Sequence, residues 1–184
     1  RWLGDRDEEV LLGDSGTPSE RGLKLALPVV DAALDDMEAR DFAPFRSFRD
    51  HPAGMTGHLL FQAIDPDNPA TLSIKVVSEI IRGRIGFDGL LITDDLCMSA
   101  LDGSIGDRAS RAIAAGCDVA LHCNGVMTEM RDVVDEVPTL SGDGLRRAET
   151  FLAATRAIRA RRRVGSNTET CAVFEQKFAE YKSP

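Results

Sequence analysis

Between residues 54 and 137, short apolar runs alternate with segments that have helical periodicity. We predict strands at about 54–61, 89–93 and 117–123. The intervening and following helices are predicted at about 73–84, in "GDRASRAIAAG" and in "VMTEMRDVVDEV". Strands that are apolar nearly throughout are typical of sheets buried on both faces. Alternation with amphipathic helices therefore predicts an α/β fold with a parallel sheet covered by helices.

Local signals predict where several helices begin and end. Ser73 can cap the helix at 73–84, whose apolar stripe should consist of Ile74, Val77, Ile80 and Ile81. Gly116 is expected to end the next helix. Upstream, Asp31 is expected to cap a helix in which the apolar residues at helical spacing are Leu34, Met37 and Phe42.

The chain of 184 residues fits one hydrophobic core better than two. Residues 1–24 hold one short apolar pulse near Val10 and are otherwise expected to be disordered. Residues 25–164 contain the alternating pattern and end in a helix at about 142–163. Residues 165–184 are predicted to form a helical tail that carries Phe174 and Phe178. The first residue is Arg rather than Met, which suggests a fragment or a processed chain.

Composition excludes several function classes. A net charge of −8 argues against nucleic acid, and the basic cluster "RAIRARRRV" at 156–164 is interpreted as the solvated end of a helix. No apolar run approaches the roughly 18 residues that cross a bilayer, so a cytoplasmic protein without membrane contact is expected. The four cysteines lack disulfide density and zinc-site spacing, and we interpret them as mostly buried thiols: Cys97, Cys117, Cys123 and Cys171.

Polar side chains stand at the carboxyl ends of all three predicted strands, which is where parallel α/β folds place their chemistry. They are His58, the pair Asp94 and Asp95, and the run His122, Cys123 and Asn124. Asp94 is open to four interpretations: nucleophile, general base, metal ligand or cap of the next helix. His58 and His122 are each either hydrogen-bonded core residues or catalytic groups. Asn124, followed by Gly125, also fits turn chemistry.

Several blocks of sequence resemble those of a known protein family, and they are more informative about function than the hydrophobic periodicity is. "AIDPDNPATLS", "VVSEIIRGRIGFDGLLITDDLCMSAL" and "AIAAGCDVALHCNG" occur in that order, after "LPVVD" and "DFAPFR". Over about residues 25–150, the chain resembles bacterial family 3 glycoside hydrolases, specifically the cytoplasmic β-N-acetylhexosaminidases of peptidoglycan recycling. The block in which "GFDG" leads through an apolar strand to Thr-Asp is the most specific of these similarities.

The resemblance implies a partial TIM-type (β/α) barrel with C-terminal helices. It implies that Asp94 is the nucleophile of retaining hydrolysis, which releases terminal N-acetylglucosamine from peptidoglycan fragments without a metal or organic cofactor. It further implies that His58, Asp95 and Asn124 help to bind the saccharide. An unrelated open α/β domain of flavodoxin-like topology is the remaining fold alternative, although no glycine-rich phosphate loop follows the first strand.

Two departures from the family pattern favour a second hypothesis. Where the family has an Asp and a His before "LALP", this chain has Gly22, Leu23 and Lys24. Complete barrels take about 250 residues, so this chain corresponds to about half of one. The second hypothesis is therefore a catalytically inactive half-barrel that binds sugar or serves in assembly. Either way, open sheet edges lead us to expect a homodimer or a complementing N-terminal half.

Overall fold

The structure, a computed structural model, describes residues 27–164. Its five strands are β1 (Val29–Val30), β2 (Ala53–Met55), β3 (Leu60–Phe61), β4 (Leu90–Asp95) and β5 (Val119–Leu121). Its main helices are α1 (Leu34–Arg40), α2 (Ala43–Arg46), α3 (Val76–Arg84, with π-type hydrogen bonding), α4 (Ile105–Ala115), α5 (Met127–Glu136) and α6 (Gly142–Val164). A 3₁₀ turn spans Ala70–Leu72.

All of these strands pair in parallel. β1 pairs with β3, and β4 lies between β2 and β5 in a three-stranded sheet. Gly54 of β2 faces Leu91 of β4, and Ile92 of β4 faces Val119 of β5. The prediction of parallel strands alternating with helices is confirmed.

The strand predicted at 54–61 is wrong as a single element, because it is interrupted between β2 and β3. In the gap, the carbonyl of Gly57 accepts from Thr71 Oγ1 at 3.1 Å, and the carbonyl of Leu59 accepts from the amide of Ala70 at 2.7 Å. These carbonyls are therefore bonded to the 3₁₀ turn rather than to a neighbouring strand. The first half pairs with β4 and the second half with β1.

The other two strands are shifted from their predicted bounds. β4 continues past residue 93 and includes both carboxylates, whereas β5 is shorter than the predicted 117–123. An irregularity interrupts their pairing between Ile92 and Asp95. There, Thr93 Oγ1 accepts a hydrogen bond from the amide of Leu121 at 2.8 Å. A side chain thus replaces one rung of the backbone ladder and brings the end of β4 beside the end of β5.

Two predicted helix signals are confirmed and two are wrong. Ser73 Oγ accepts from the amide of Val76 at 3.1 Å, and Gly116 ends α4 with a left-handed φ of 112°. Ile74 is 63% exposed and does not belong to the apolar stripe, because it lies before the π-type turns that direct Val77 and Ile80 inward. Asp31 does not cap α1, which begins after Ala33 without a side-chain cap.

Three apolar clusters lie between the sheet and the helices. Their largest fully buried members include Met37, Val77, Leu91, Leu96 and Leu101. Among the described helices, none is both long enough and apolar enough to cross a membrane. The predictions near Val10 and at Phe174 and Phe178 lie outside the described residues, as do those for segments 1–24 and 165–184.

Candidate active site

Asp94 lies at the carboxyl end of β4 and is partly buried. Its Oδ1 accepts a hydrogen bond from the amide of Asp95 at 2.8 Å, and its own amide donates to Thr56 Oγ1 at 3.3 Å. Within residues 27–164, its other carboxylate oxygen has no hydrogen-bond partner. Among the described residues, the side chain is therefore oriented through one oxygen only.

Asp95 is held more fully than its neighbour. Its Oδ1 accepts from the amides of Cys97 at 3.0 Å and Cys123 at 3.1 Å. Burial by itself would raise the pKa of Asp95, but the hydrogen bonds from these two residues favour the ionised form and hold the pKa below its ordinary value. This carboxylate thus joins the loop after β4 to the loop after β5.

His58 is buried and uses both ring nitrogens. Nε2 donates to the carbonyl of Asp95 at 3.0 Å, and Nδ1 lies 2.9 Å from Thr71 Oγ1. Thr71 Oγ1 is in turn 2.9 Å from Thr56 Oγ1, which receives the amide of Asp94. These contacts fit the alternative of a hydrogen-bonded core histidine, which positions the backbone of both carboxylates. Direct contact between His58 and a sugar stays a prediction.

The loop after β5 has a network of its own. His122 Nε2 and Asn124 Nδ2 both bond Glu129 Oε2, at 3.1 and 2.6 Å. Asn124 Oδ1 also accepts from the amide of Val126 at 3.0 Å, so this residue makes the turn contacts that the Asn-Gly pair suggested. Its contact with a saccharide stays a prediction. The Asn124 hydrogen bond, followed by that from His122, lowers the pKa of Glu129.

One group of described side chains could hold a metal ion. Cys97, His122 and Glu129 each offer one donor atom, and these atoms all lie within 4.8 Å of one another. Sequence reasoning missed this group and expected no metal, because its members come from three separate elements and match no ligand-spacing motif. In the sequence, the one indication of this group is that His122, just after β5, is followed by Glu129 in the first turn of α5.

The cysteines are less buried than predicted. Cys117 is buried, and burial, assisted by the charge of Asp118, raises its pKa to about 12. Cys97 is only partly buried and Cys123 is exposed. The reason is that β5 ends at Leu121, so Cys123 lies in the loop rather than on a strand. Cys171 lies outside the described residues.

A separate polar cleft lies between α4 and α5. It is lined mainly by carboxylates and serines, namely Asp107, Asp132, Asp135, Glu136, Ser104 and Ser110. None of the residues at the strand ends contributes to it. The strand ends, rather than this cleft, therefore stay the candidate site, because within residues 27–164 it is there that ordered carboxylates meet the rim of the parallel sheet.

The fold and the site together define an α/β protein of the barrel class, with acidic groups presented at the carboxyl ends of parallel strands. The model of the glycosyl hydrolase family 3 N-terminal domain matches residues 13–159. The chain belongs to glycosyl hydrolase family 3. The matched range begins inside residues 1–24, which the sequence analysis treats as a separate segment.

Similar proteins agree on this family. A beta-hexosaminidase of Nitrosomonas eutropha is 42% identical over 106 residues, which are 52% of this chain and 30% of that protein. The beta-N-acetylglucosaminidase structure from Thermotoga maritima is 31% identical with a TM-score of 0.58, covering 69% of this chain and 31% of that one. NagZ from Neisseria gonorrhoeae, in complex with N-trifluoroacetyl-D-glucosamine, is 32% identical with a TM-score of 0.58, covering 69% and 37%.

The fold of these relatives is shared, as the TIM-type resemblance implied. The chain spans only about a third of the length of each of them. The described strands accordingly correspond to part of a barrel-like domain.

Proposed function

We propose that this chain is part of a retaining β-N-acetylhexosaminidase and that Asp94 is its nucleophile. The observation that carries the proposal is the position of Asp94 in a family 3 chain: it lies at the carboxyl end of the central strand β4, next to the last residue, with one carboxylate oxygen oriented by an amide. The beta-hexosaminidase relatives support the activity. The substrate is a saccharide with a terminal N-acetylglucosamine, which we take to be a peptidoglycan fragment in the cytoplasm.

In this mechanism, a carboxylate oxygen of Asp94 attacks the anomeric carbon as the glycosidic bond breaks, and the leaving oxygen takes a proton from a general acid or, without one, from water. Water then hydrolyses the glycosyl-enzyme ester and restores the carboxylate. An ionised carboxylate also stabilises the positive charge that develops on the sugar ring. No metal is needed for these steps.

The neighbouring residues have supporting roles in the proposal. Asp95 fixes the two loops, and His58 fixes the backbone of the carboxylate pair through its bond to the Asp95 carbonyl. Direct binding of the sugar by His58, Asp95 or Asn124 belongs to the proposal as well. We also propose that residues 25–164 are the half-barrel, between the segments 1–24 and 165–184; the family match covers residues 13–159.

The test is hydrolysis of a chromogenic N-acetyl-β-glucosaminide by the chain and its Asp94→Asn variant. We expect the substitution to lower kcat/KM by at least about 1000-fold, or about 4 kcal/mol of transition-state stabilisation. Asp102→Asn is the matched control, because Asp102 is an exposed carboxylate in the same loop region. Equal rates for the chain and the Asp94 variant would contradict the assignment.

The second candidate is an inactive half-barrel that binds sugar or serves in assembly. It is favoured by Gly22, Leu23 and Lys24, which occupy the positions where the family resemblance leads us to expect an Asp and a His. A lysine ordinarily stays protonated at neutral pH and cannot alternate between acid and base.

A fluorosugar that traps the covalent intermediate separates the two candidates. Labelling of Asp94 together with turnover of the chromogenic substrate supports the hydrolase. Labelling without turnover supports a retained nucleophile that has lost its proton donor. Failure of both reactions supports the purely binding or assembly role.

A further inference from the structure

We propose that Cys97, His122 and Glu129 form a binding site for a divalent metal ion of the Zn²⁺ class. The three residues come from the loop after β4, the loop after β5 and the first turn of α5. The tertiary fold therefore brings these donor atoms together at one edge of the sheet, although their spacing in the sequence matches no metal-binding motif. This site does not depend on the proposed glycosidase activity.

The distances suit a small ion. One donor atom from each residue lies within 4.8 Å of the others, and His122 Nε2 is already 3.1 Å from Glu129 Oε2. Bonds of about 2.0–2.3 Å to Zn²⁺ place tetrahedral ligands roughly 3–4 Å apart. Small side-chain rotations are thus enough to close the donors around an ion. Three protein ligands leave the fourth position to water or to a ligand.

The donor types select the metal. A thiolate, an imidazole and a carboxylate suit Zn²⁺ or Co²⁺, whereas Mg²⁺ and Ca²⁺ prefer all-oxygen sites. Once the thiol of Cys97 has released its proton, this residue and Glu129 supply two negative charges that match a divalent cation. The Asp95 carboxyl group also lies nearby, since its Oδ1 accepts a hydrogen bond from the amide of Cys97.

His122 supplies an independent observation. Its side chain is 7% exposed, and Nδ1 is buried without a hydrogen-bond partner among the described residues. Buried polar atoms are nearly always paired, because an unpaired one costs free energy. The imidazole therefore makes fewer polar contacts than it can, and it lies beside the partly buried Cys97 and the Glu129 carboxylate, whose side chain is 38% exposed.

The surroundings hold the ligands in place. Asp95 Oδ1 bonds the amides of Cys97 and Cys123, which fixes the two loops relative to each other. Asn124 Nδ2 bonds Glu129 Oε2 at 2.6 Å and orients that carboxylate. Groups of this kind around the ligands commonly set metal affinity.

The test is titration of the chelator-treated chain with Co²⁺, followed by optical absorption. We expect one equivalent to bind, with a thiolate-to-cobalt charge-transfer band in the near ultraviolet that Zn²⁺ then removes. Cys97→Ser should abolish the band. Glu129→Gln and His122→Gln should each weaken Zn²⁺ binding at least about 10-fold. Absence of a thiolate band at one equivalent would overturn the proposal.

Cys123→Ser is the matched control, since Cys123 is an exposed thiol beside the site but outside the ligand set. This variant should keep the band and the affinity. Loss of the band in Cys123→Ser and its retention in Cys97→Ser would also overturn the assignment.

A second measurement uses the unmodified chain, so it remains valid if one of the variants fails to fold. In the unmodified chain, Zn²⁺ at about ten times its dissociation constant should slow alkylation of Cys97 about 10-fold by mass action, while alkylation of Cys123 is unchanged. Equal protection of both thiols, or of neither, would contradict the site. Neither measurement involves turnover, so failure of the glycosidase proposal leaves both readouts interpretable.

Discussion

Asp94 and Asp95 are adjacent carboxylates with different surroundings. Asp95 accepts hydrogen bonds from the backbone amides of two loops, and these bonds stabilise its ionised form. The same bonds connect the two loops to each other. Asp94 receives one amide, from Asp95 itself. Because successive side chains of a strand point in opposite directions, the two carboxylates diverge. Asp95 thereby holds the end of the sheet together, and Asp94 is the nucleophile of our proposal.

Asp65 shows the same principle in a wholly structural setting. It is buried, and its carboxylate accepts from Ser73 Oγ at 2.7 Å, from Asn68 Nδ2 and from the amide of Asp67. Burial by itself raises the pKa of Asp65, but these hydrogen bonds and the charge of Lys75 together lower it. Ser73 also caps the following helix, so this carboxylate stabilises both the loop and the helix start.

We predict that Asp65→Asn lowers the free energy of unfolding by about 1–3 kcal/mol at pH 7. A carboxyl whose pKa is lowered by folding stabilises the protein above its unfolded pKa of about 3.9, and that contribution is lost as the pH falls through the folded pKa. The difference between the chain and the variant should therefore shrink under acid conditions. Urea unfolding across that pH range measures it, with the exposed Asp67→Asn as control. A difference that grows on acidification would contradict the prediction.

At the scale of elements, an ionic network joins α3 and α6 to the strands. Asp118, just before β5, bonds Arg82 of α3 at 2.9 Å, Arg147 of α6 at 3.2 Å and the amide of Leu91 at 2.9 Å. Burial and then the charge of Arg147 lower the pKa of Arg82, which shows that its desolvation is only partly offset. Buried ions in such a network depend on each other to remain charged without water.

We predict that Asp118→Asn destabilises the chain by about 3–5 kcal/mol, because it leaves two guanidinium groups poorly compensated. The Asp118 side chain is only 6% exposed, so solvent cannot replace it. Thermal or urea unfolding measures the effect. Asp143→Asn is the control: it removes an exposed partner of Arg146 on the same helix and should leave the midpoint unchanged. Similar midpoints for both variants would contradict the role of the network.

At the scale of the whole molecule, the described strands form an open arrangement. Within residues 27–164, β5 has one strand neighbour, β4, and β1 has one, β3. Helix α5 and the residue that precedes it also expose apolar side chains at helical spacing: Val126, Met130 and Val134. Open edges and apolar stripes favour association.

We predict that the chain self-associates and that a second copy covers this stripe. Sedimentation velocity should show a larger species as concentration rises, and the double substitution Met130→Lys and Val134→Lys should reduce it. Ile74→Lys is the control, because it changes an exposed apolar residue away from this stripe, just before α3. A monomer at every concentration would contradict the prediction.

The fold could be predicted to the extent that local interactions encode it. Ser73 and Gly116 mark helix boundaries because a hydroxyl cap and a left-handed glycine act within a few residues. Asp31 has the right residue type but does not cap, because α1 begins after Ala33. Ile74 fits an ideal helical stripe and is exposed, because π-type turns change the period.

The candidate site was predictable only in its outline. Asp94 could be selected as a candidate from the sequence alone, because an apolar run ends in two acidic residues there. The bonds of Asp95 to the amides of Cys97 and Cys123 depend on two loops that meet only in the folded chain. The same is true of the contact between His58 and the Asp95 carbonyl.

The sequence by itself determined the class of fold, the alternation of strands with helices and the acidic end of β4, because periodicity and strand composition are local properties. Only the tertiary structure decided where the strand at 54–61 breaks and how Cys97, His122 and Glu129 come together. The physical reason is that groups far apart in the sequence compete for the same hydrogen-bonding partners. The carbonyls of Gly57 and Leu59, for example, accept hydrogen bonds from the 3₁₀ turn and not from a neighbouring strand. The spacing of residues along the chain does not record such competition.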